Sequence, residues 1–365
     1  MKHIGIDVRL YSESGNGRYI RNLLLNLYEI DLDNSYVLFC LKKDYENINT
    51  LYGKKFKIVK CTFGWYGFGE QIEMPIRLYF ENLDLVHFPH FNVPVLYLKT
   101  FVVTIHDLTH YSFAMSRATS HNDFVYSIKH FVYNFVFNYA VTQSKNIITV
   151  SEYVKSEIVN RFGMLQSKIR VTYEAGGVFG GDSSGSEIRS DIKSIYGNYF
   201  FYVGNAHPHK NVEFLINTFE LFRKTHPECL LVLAGKKTYF WDRIVENFSN
   251  RNLMTNIVYL GQISEAELAY LYKNAVAFIM PSLSEGFGLP VIEAMSNSCP
   301  VLSSNATSLP EVGGDACLYF DPKDSVMLLS QMNEIYINSE NRDRCIKAGM
   351  VQVKKFSWKK MAVET

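Results

Sequence analysis

The stretch FIMPSLSEGFGLPVIEAMSNSCPVLSSNATSLPEV, residues 278–312, carries the most specific pattern in the chain. Ala277–Met280 is a short apolar run, as a strand buried on both faces would be. Pro281 follows it, and Ser284, Glu285, Gly286, Phe287 and Gly288 form a glycine-bearing turn. Pro290 stands where a helix begins, matching the preference of proline for the first helical position. Glu293 then falls in the first turn of that helix, eight residues beyond Glu285. A glycine turn leading into a helix N-terminus gathers backbone N–H groups and favours negative charge. Those N–H groups suit a diphosphate. The two carboxylates accept hydrogen bonds from paired hydroxyls, as on a ribose or a hexose. The plain alternative is a helix-capping glutamate beside a turn, and the combination of parts weighs against it.

The strand-then-helix unit recurs along the chain. Strand-like runs lie at Ile4–Val8, Tyr36–Leu41, Phe56–Val59, Leu85–Phe88, Phe101–Ile105, Ile147–Val150 and Ile169–Thr172. Helix-like segments at Arg18–Tyr28, Glu70–Tyr79, Phe124–Val141 and Glu152–Arg161 fall between several of them. Residues 175–191, AGGVFGGDSSGSEIRSD, have the composition of a linker. The alternation then restarts with Phe200–Val203, Leu230–Ala234, Ile257–Leu260, Ala277–Met280 and Val301–Ser303. Helical patterns at Val212–Arg223, Glu265–Tyr272, Pro290–Ser296 and Val326–Ile337 accompany them. The expected fold is therefore α/β, with two successive domains built on parallel sheets. Ligands in such sheets bind beyond the carboxyl ends of the strands. With two domains, the cleft between them is the expected site.

Three further loops leave strands with residues of chemical interest. Gly15 and Gly17 precede the first helix without a Walker lysine or a third glycine, so a tight turn and an anion site are both open. In VVTIHDLTHYSF, His106 and Asp107 follow the strand, with His110 a weaker candidate; a structural histidine is the plain reading of either. In FYVGNAHPHKNVEFLINTF, Lys210 stands just before a helix, where the helix dipole disfavours a cation. A bound anion between the lysine and the helix end would resolve this.

Composition excludes several classes. With 47% hydrophobic and 20% charged residues and a net charge of +1, the chain is neither disordered nor a global polycation for nucleic acid. Its six cysteines have no zinc or redox spacing and are expected as free thiols in a reducing cytoplasm. No signal peptide is read at the start. The stretch Phe124–Val141 approaches the length of a membrane span, but Lys129, His130, Asn134 and Asn138 interrupt it. The histidine and asparagines recur every fourth residue, so a buried amphipathic helix is expected, while its Phe and Tyr leave open a helix that partly touches a bilayer surface. Lys54, Lys55, Lys57 and Lys60 beside the aromatic stretch Phe63–Gly69 have a composition suited to an anionic bilayer surface, and equally to a solvated edge strand and a core loop. Residues 63–80 and 111–123 are candidate walls for an acceptor. Asp31-Leu32-Asp33 could be read as a metal-binding Asp-x-Asp, although it sits where a solvated turn is expected.

The segment Pro281–Glu311 resembles the donor-binding signature of retaining glycosyltransferase family 4, whose Glu, seven residues, Glu is met by Glu285 and Glu293. The resemblance extends over nearly the whole chain, through GIDVRLYSESGNGRYIRNLL, TIHDLTHYSF, TVSEYVKSEI, YVGNAHPHKN and FSWKKMA. The opening, the TIHDL segment and YVGNAHPHKN are similar to bacterial mannosyltransferases of polysaccharide and O-antigen assembly. The resemblance implies the GT-B fold, two Rossmann-like domains facing an interdomain cleft. Residues 1–178 would bind the acceptor, residues 179–356 the nucleotide-sugar, and residues 357–365 would pack back on the first domain.

It further implies that Glu293 holds the ribose hydroxyls, and that Glu285 with the backbone of Gly286, Phe287, Gly288 and Leu289 holds the donor sugar. Lys210 would neutralise the diphosphate, with Gly15 and Gly17 approaching it, and His106 would lie near the reacting carbon. Where the family usually has an Arg, this sequence has Asn205, so Lys210 has less help. His106, Glu285 and Lys210 are thus the expected catalytic residues. The implied reaction is transfer of a hexose, mannose from GDP-mannose first and a UDP-sugar second, to a lipid-linked saccharide. No obligatory metal or other cofactor is expected. The implied place is the cytoplasm, peripheral on the inner face of the cytoplasmic membrane. A non-catalytic partner protein of the same fold is the reading from a different class.

Overall fold

The computed structural model describes residues 1–112, 123–177, 188–195, 197–250 and 256–365. Its contacts divide the chain into two units: Met1–Glu174 with Ser357–Thr365, and Ala175–Phe356. The expected boundary at 178/179 falls outside the described residues, as does most of the segment 111–123.

The first unit holds β1 (His3–Asp7), β2 (Ser35–Leu41), β3 (Lys57–Cys61), β4 (Leu85–Phe88), β5 (Phe101–Ile105), β6 (Asn146–Thr149) and β7 (Ile169–Val171). They lie in the order β3-β2-β1-β4-β5-β6-β7, and every pairing is parallel. Runs such as Val37, Leu38 and Phe39 are fully buried because helices cover the sheet faces. The helix Gly15–Ile30 turns Tyr19, Ile20, Leu23 and Leu24 inward, the spacing of one helical face. The helix Trp358–Glu364 buries Met361 and Ala362 in that same cluster.

The second unit holds β8 (Tyr199–Val203), β9 (Leu230–Ala234), β10 (Ile257–Tyr259), β11 (Ala277–Met280), β12 (Val301–Ser304) and β13 (Cys317–Phe320). Their order is β10-β9-β8-β11-β12-β13, again all parallel. In each sheet the order reverses once, between β1 and β4 and between β8 and β11. Loops at such a switch point diverge and leave a crevice at the carboxyl ends of the two strands.

Several elements were absent from the sequence reading. The helix Tyr239–Asn250 is held by Trp241, Ile244 and Phe248, a legible 3–4 spacing. The helix Ser339–Gln352 buries only Cys345, Gly349 and Gln352, too thin an apolar stripe to show periodicity. The helix Tyr45–Tyr52 and strand β13 were likewise missed.

The helix Asp123–Gln143 departs from expectation. Its C-terminal half buries Val136, Phe137, Ala140 and Val141, but Ile128, Phe131, Val132 and Phe135 lie exposed, Phe131 by 72%. The stripe of His130, Asn134 and Asn138 is exposed or half-exposed, but it shares the solvent side with this apolar patch, which has no cover among the described residues. Among these residues no helix is long and apolar enough to cross a membrane. The lysine cluster is also less available than expected. Lys55 donates to the carbonyls of Tyr28 and Asp31, both at 2.6 Å. Lys57 pairs with Glu81 at 2.7 Å, and Lys60 sits 3.6 Å over the Tyr45 ring.

Candidate functional site

At the switch point of the second sheet, the loop after β8 meets the loop after β11. Lys210 Nζ donates to both oxygens of Glu285, at 2.7 and 2.8 Å. The two side chains are only 18% and 10% exposed. The anion that accounts for a lysine at this helix start is thus supplied by the chain itself. Asn211, at the N-cap in the left-handed conformation (φ 59°), donates to the carbonyls of Pro281 at 3.1 Å and Pro322 at 2.8 Å. The amide of Leu283 donates to the His209 carbonyl at 2.7 Å. The loops following β8, β11 and β13 are therefore laced together by backbone acceptors, which leaves Glu285 little freedom.

The glycine turn is held from β12's side. The Glu285 amide donates to Thr307 Oγ1 at 2.9 Å. Ser308 Oγ lies 3.0 Å from the Glu285 carbonyl and 3.1 Å from that of Phe287. Gly288 has φ 100°, and a Cβ there would meet Leu309 at 2.6 Å, so only glycine fits without strain. Phe287 is buried against Phe356, leaving its backbone in the turn. Leu289 opens the helix Leu289–Ser296, and Glu293 on it is 4% exposed, 3.4 Å from the Tyr272 hydroxyl that donates to it. Asn205 shapes the preceding loop: its Oδ1 accepts the His207 amide at 3.2 Å, and its carbonyl accepts the Tyr202 hydroxyl at 2.7 Å. Thr307, Ser308 and Asn211 lay outside the sequence reading, because hydroxyls and amides that brace a loop have no motif spacing.

The remaining candidates belong to the first unit. His106, just past β5, lies 3.0 Å through Nε2 from the Pro89 carbonyl and 3.2 Å through Nδ1 from Glu174. Burial disfavours its charged form, but the Glu174 carboxylate and the Pro89 carbonyl outweigh burial and raise its pKa. Two acceptors facing both ring nitrogens are best satisfied by the imidazolium. Glu174, 68 residues away in sequence, could not have been assigned as its partner beforehand. Gly17 is close-packed: a Cβ would meet the Leu10 and Tyr11 carbonyls at 2.8 and 2.7 Å, which gives this glycine a packing reason. Gly15 opens the helix with nothing near its Cβ position. The side chain of His110 lies outside the described residues.

Asp31 belongs to a turn. Tyr36, Asn34 and the amides of Asp33 and Asn34 donate to its carboxylate. Burial alone would raise its pKa, but these hydrogen bonds bring it down to about 2. The Asp-x-Asp reading therefore fails on saturated lone pairs. Among the described residues no three of His, Cys, Asp and Glu are grouped to hold a metal ion.

The sequence reading missed one further cluster, at the switch point of the first sheet. Arg9, 2% exposed, donates from Nε to Asp7 Oδ1 at 2.8 Å and from Nη2 to Asp7 Oδ2 at 2.6 Å and Glu70 Oε1 at 2.5 Å. Asn92 donates to the other Glu70 oxygen. Burial raises the Glu70 pKa against the pull of Arg9.

Two doubly wound parallel units in one chain, with a half-buried Lys–Glu pair and a glycine turn at the second switch point, have the architecture of GT-B glycosyltransferases. Residues 14–175 match the model of Glycosyltransferase Family 4, and residues 188–352 that of Glycosyl transferases group 1; the chain belongs to these glycosyltransferases. It is 32% identical to O-antigen chain mannosyltransferase B of Escherichia coli over 230 residues, 62% of this chain and 60% of that protein. The match thus spans less than two thirds of that relative's length. An O-antigen chain mannosyltransferase of Salmonella typhimurium is 28% identical over 74% of this chain and 70% of its own. Among solved structures, sucrose-phosphate synthase from Thermosynechococcus elongatus superposes with a TM-score of 0.76, covering 100% of this chain and 97% of that one. Its 17% identity is a likeness of fold alone.

Proposed function

We propose that the chain is a retaining mannosyltransferase that moves mannose from GDP-mannose to a hydroxyl of a lipid-linked saccharide in cell-surface polysaccharide synthesis. The observation that carries the reading is the Lys210–Glu285 pair bound into the glycine turn at the second switch point. The mannosyltransferase relatives support the choice of sugar. In this reading the acceptor oxygen bonds to the anomeric carbon as the bond from that carbon to the diphosphate breaks. The acceptor's proton passes to the leaving phosphate. Charge grows on that phosphate, and Lys210 with the turn's N–H groups stabilises it where they already stand. Glu293 accepts from the ribose hydroxyls. Glu285 and the backbone of Gly286, Phe287, Gly288 and Leu289 position the sugar. The roles of Gly15, Gly17 and His106 rest on the family resemblance alone. No metal enters these steps.

Contact with the inner face of the cytoplasmic membrane belongs to the same proposal. The exposed apolar face of Ile128, Phe131, Val132 and Phe135 supports it better than the lysine cluster does.

Calorimetric titration of GDP-mannose, UDP-glucose and UDP-N-acetylglucosamine, with and without EDTA, tests the donor. Saturable binding of GDP-mannose that survives EDTA and is lost in Glu293→Ala is expected. A requirement for metal would discard the site as drawn, and a well-folded protein that binds no nucleotide-sugar would point to a non-catalytic partner. Sedimentation with anionic vesicles tests the membrane contact, which Phe131→Ser should weaken.

A further inference from the structure

The loop after β12 breaks two local preferences in succession. Thr307 has φ 55°, in the left-handed region, where a β-branched residue is an outlier. Ser308 stands at the N-cap of the helix Leu309–Gly313, where a serine side chain ordinarily accepts a first-turn amide, yet it makes no cap hydrogen bond. Both side chains are turned onto Glu285 instead. Thr307 Oγ1 accepts the Glu285 amide at 2.9 Å. The Ser308 hydroxyl, fully buried, is shared between the carbonyls of Glu285 and Phe287 at 3.0 and 3.1 Å. Two consecutive residues thus hold the N–H and the C=O of Glu285 together. Ser304 adds a third tie to the same loop, donating to the Ser282 carbonyl at 2.6 Å.

Closing the connection from β12 to the next helix does not require either exception. A glycine at 307 would make the same turn without strain. What the two exceptions accomplish lies in the other loop. The Glu285 carboxylate is fixed at its outer end by Lys210. The hydroxyls fix the same residue at its backbone, so Glu285 is held at both ends. The Glu285 amide, engaged by Thr307, is also not among the N–H groups that the turn can offer a diphosphate. Displacing a positioned group by about 1 Å can slow a reaction by about 100-fold. Strain kept at one residue, and local rules broken around it, are marks of a functional position.

We propose that Thr307 and Ser308 are positioning residues for sugar transfer that act through Glu285. The strain at Thr307 is kept because its hydroxyl sets where Glu285 stands. The inference rests on the glycosyltransferase reading for the reaction that Glu285 serves, and on the geometry of the second unit for the clamp.

The test uses the full chain. It follows release of nucleoside diphosphate from GDP-mannose, or from UDP-glucose or UDP-N-acetylglucosamine where wild type binds that donor instead, with thermal unfolding of each variant in parallel. Thr307→Gly loses the hydroxyl and the strain together, so its midpoint should stay within about 3 °C of wild type. Its kcat should fall about 10- to 100-fold while KM stays within about twofold. Thr307→Val keeps a branched side chain in the left-handed region without the acceptor, so it should lose as much kcat and also unfold below Thr307→Gly. Thr307→Ser keeps the hydroxyl and should restore kcat. A merely structural role would make kcat follow the midpoint across the three variants, and that result would overturn the proposal. So would wild-type kcat in Thr307→Gly. A wild type that binds none of the three donors would instead remove the transferase reading, and with it the role proposed here; a wild type that turns over a donor beside an unimpaired Thr307→Gly would overturn this proposal alone.

Discussion

The two switch points of the molecule solve one geometric problem with different materials. Beyond β8 and β11, one cation meets one carboxylate, and the surrounding turn is fixed by hydroxyls and by a glycine that no other residue replaces without strain. Beyond β1 and β4, one cation is shared by two carboxylates, and the turn it fixes carries an exposed aromatic ring. In the second unit, both members of the pair lie in loops that follow strands. In the first, Arg9, Glu70 and Asn92 are gathered from three separate elements. A site whose backbone presents N–H groups to a diphosphate needs glycine and short spacing. A cluster that braces a turn can draw its side chains from anywhere the sheet brings together.

This contrast can be broken experimentally. Removing the shared cation should have the largest effect. Arg9→Met leaves Asp7 and Glu70 buried without compensation, a loss of about 3–5 kcal/mol by analogy with other buried pairs. Urea denaturation should read it, and an unchanged midpoint would show the cluster to be ornamental. Lys210→Ala should fall mainly on turnover, by about 10²–10³-fold if it acts as one preorganised donor to the leaving phosphate. Single-turnover transfer from GDP-mannose would show this, and a change confined to KM would demote Lys210 to uniform binding. Gly288→Ala should cost about 1–3 kcal/mol for the left-handed backbone, before any cost of displacing Leu309; thermal unfolding should show it.

The smallest effects concern two histidines of the first unit with opposite behaviour. His106 has a raised pKa, so its pairing with Glu174 stabilises the fold below the unfolded value of about 6.5. That contribution is lost as pH rises through the folded value. Glu174→Gln should therefore destabilise most in mildly acidic solution and least in alkali. His87, buried against Thr104, is lowered to about 3 by desolvation and by the charge of His106. It resists protonation in the fold, so stability falls as pH drops from about 6.5 toward that value. His87→Gln should flatten the acid limb of the stability profile. If both variants shifted the profile in the same direction, the imidazolium assignment of His106 would fail.

Much of the second site was legible because its residues lie within two short loops. Glu285, Gly288, Pro290 and Glu293 fall in nine consecutive positions, and Lys210 stands six residues after Gly204. What the sequence could not show was that Lys210 and Glu285 would pair with each other. The helix Asp123–Gln143 gave the opposite lesson. Its polar residues recur with helical spacing and reach solvent, yet apolar residues share the exposed side, because periodicity reports a repeat and not which neighbour covers it. The lysines at 54–60 look free in sequence, and folding brings carbonyls, a carboxylate and a ring to three of them.

By itself, the sequence determined the two parallel α/β units, their strand-to-helix rhythm and the glycine turn with its two carboxylates. These depend on local backbone preference and on apolar runs, which neighbouring residues alone encode. The tertiary structure alone decided which charges meet: Lys210 with Glu285, His106 with Glu174, and Arg9 with Asp7 and Glu70. It also decided that Thr307 is held strained against Glu285. Charge pairing and strain depend on distance in space, and in a doubly wound sheet that distance is set by strand order, which no single stretch of sequence spells out.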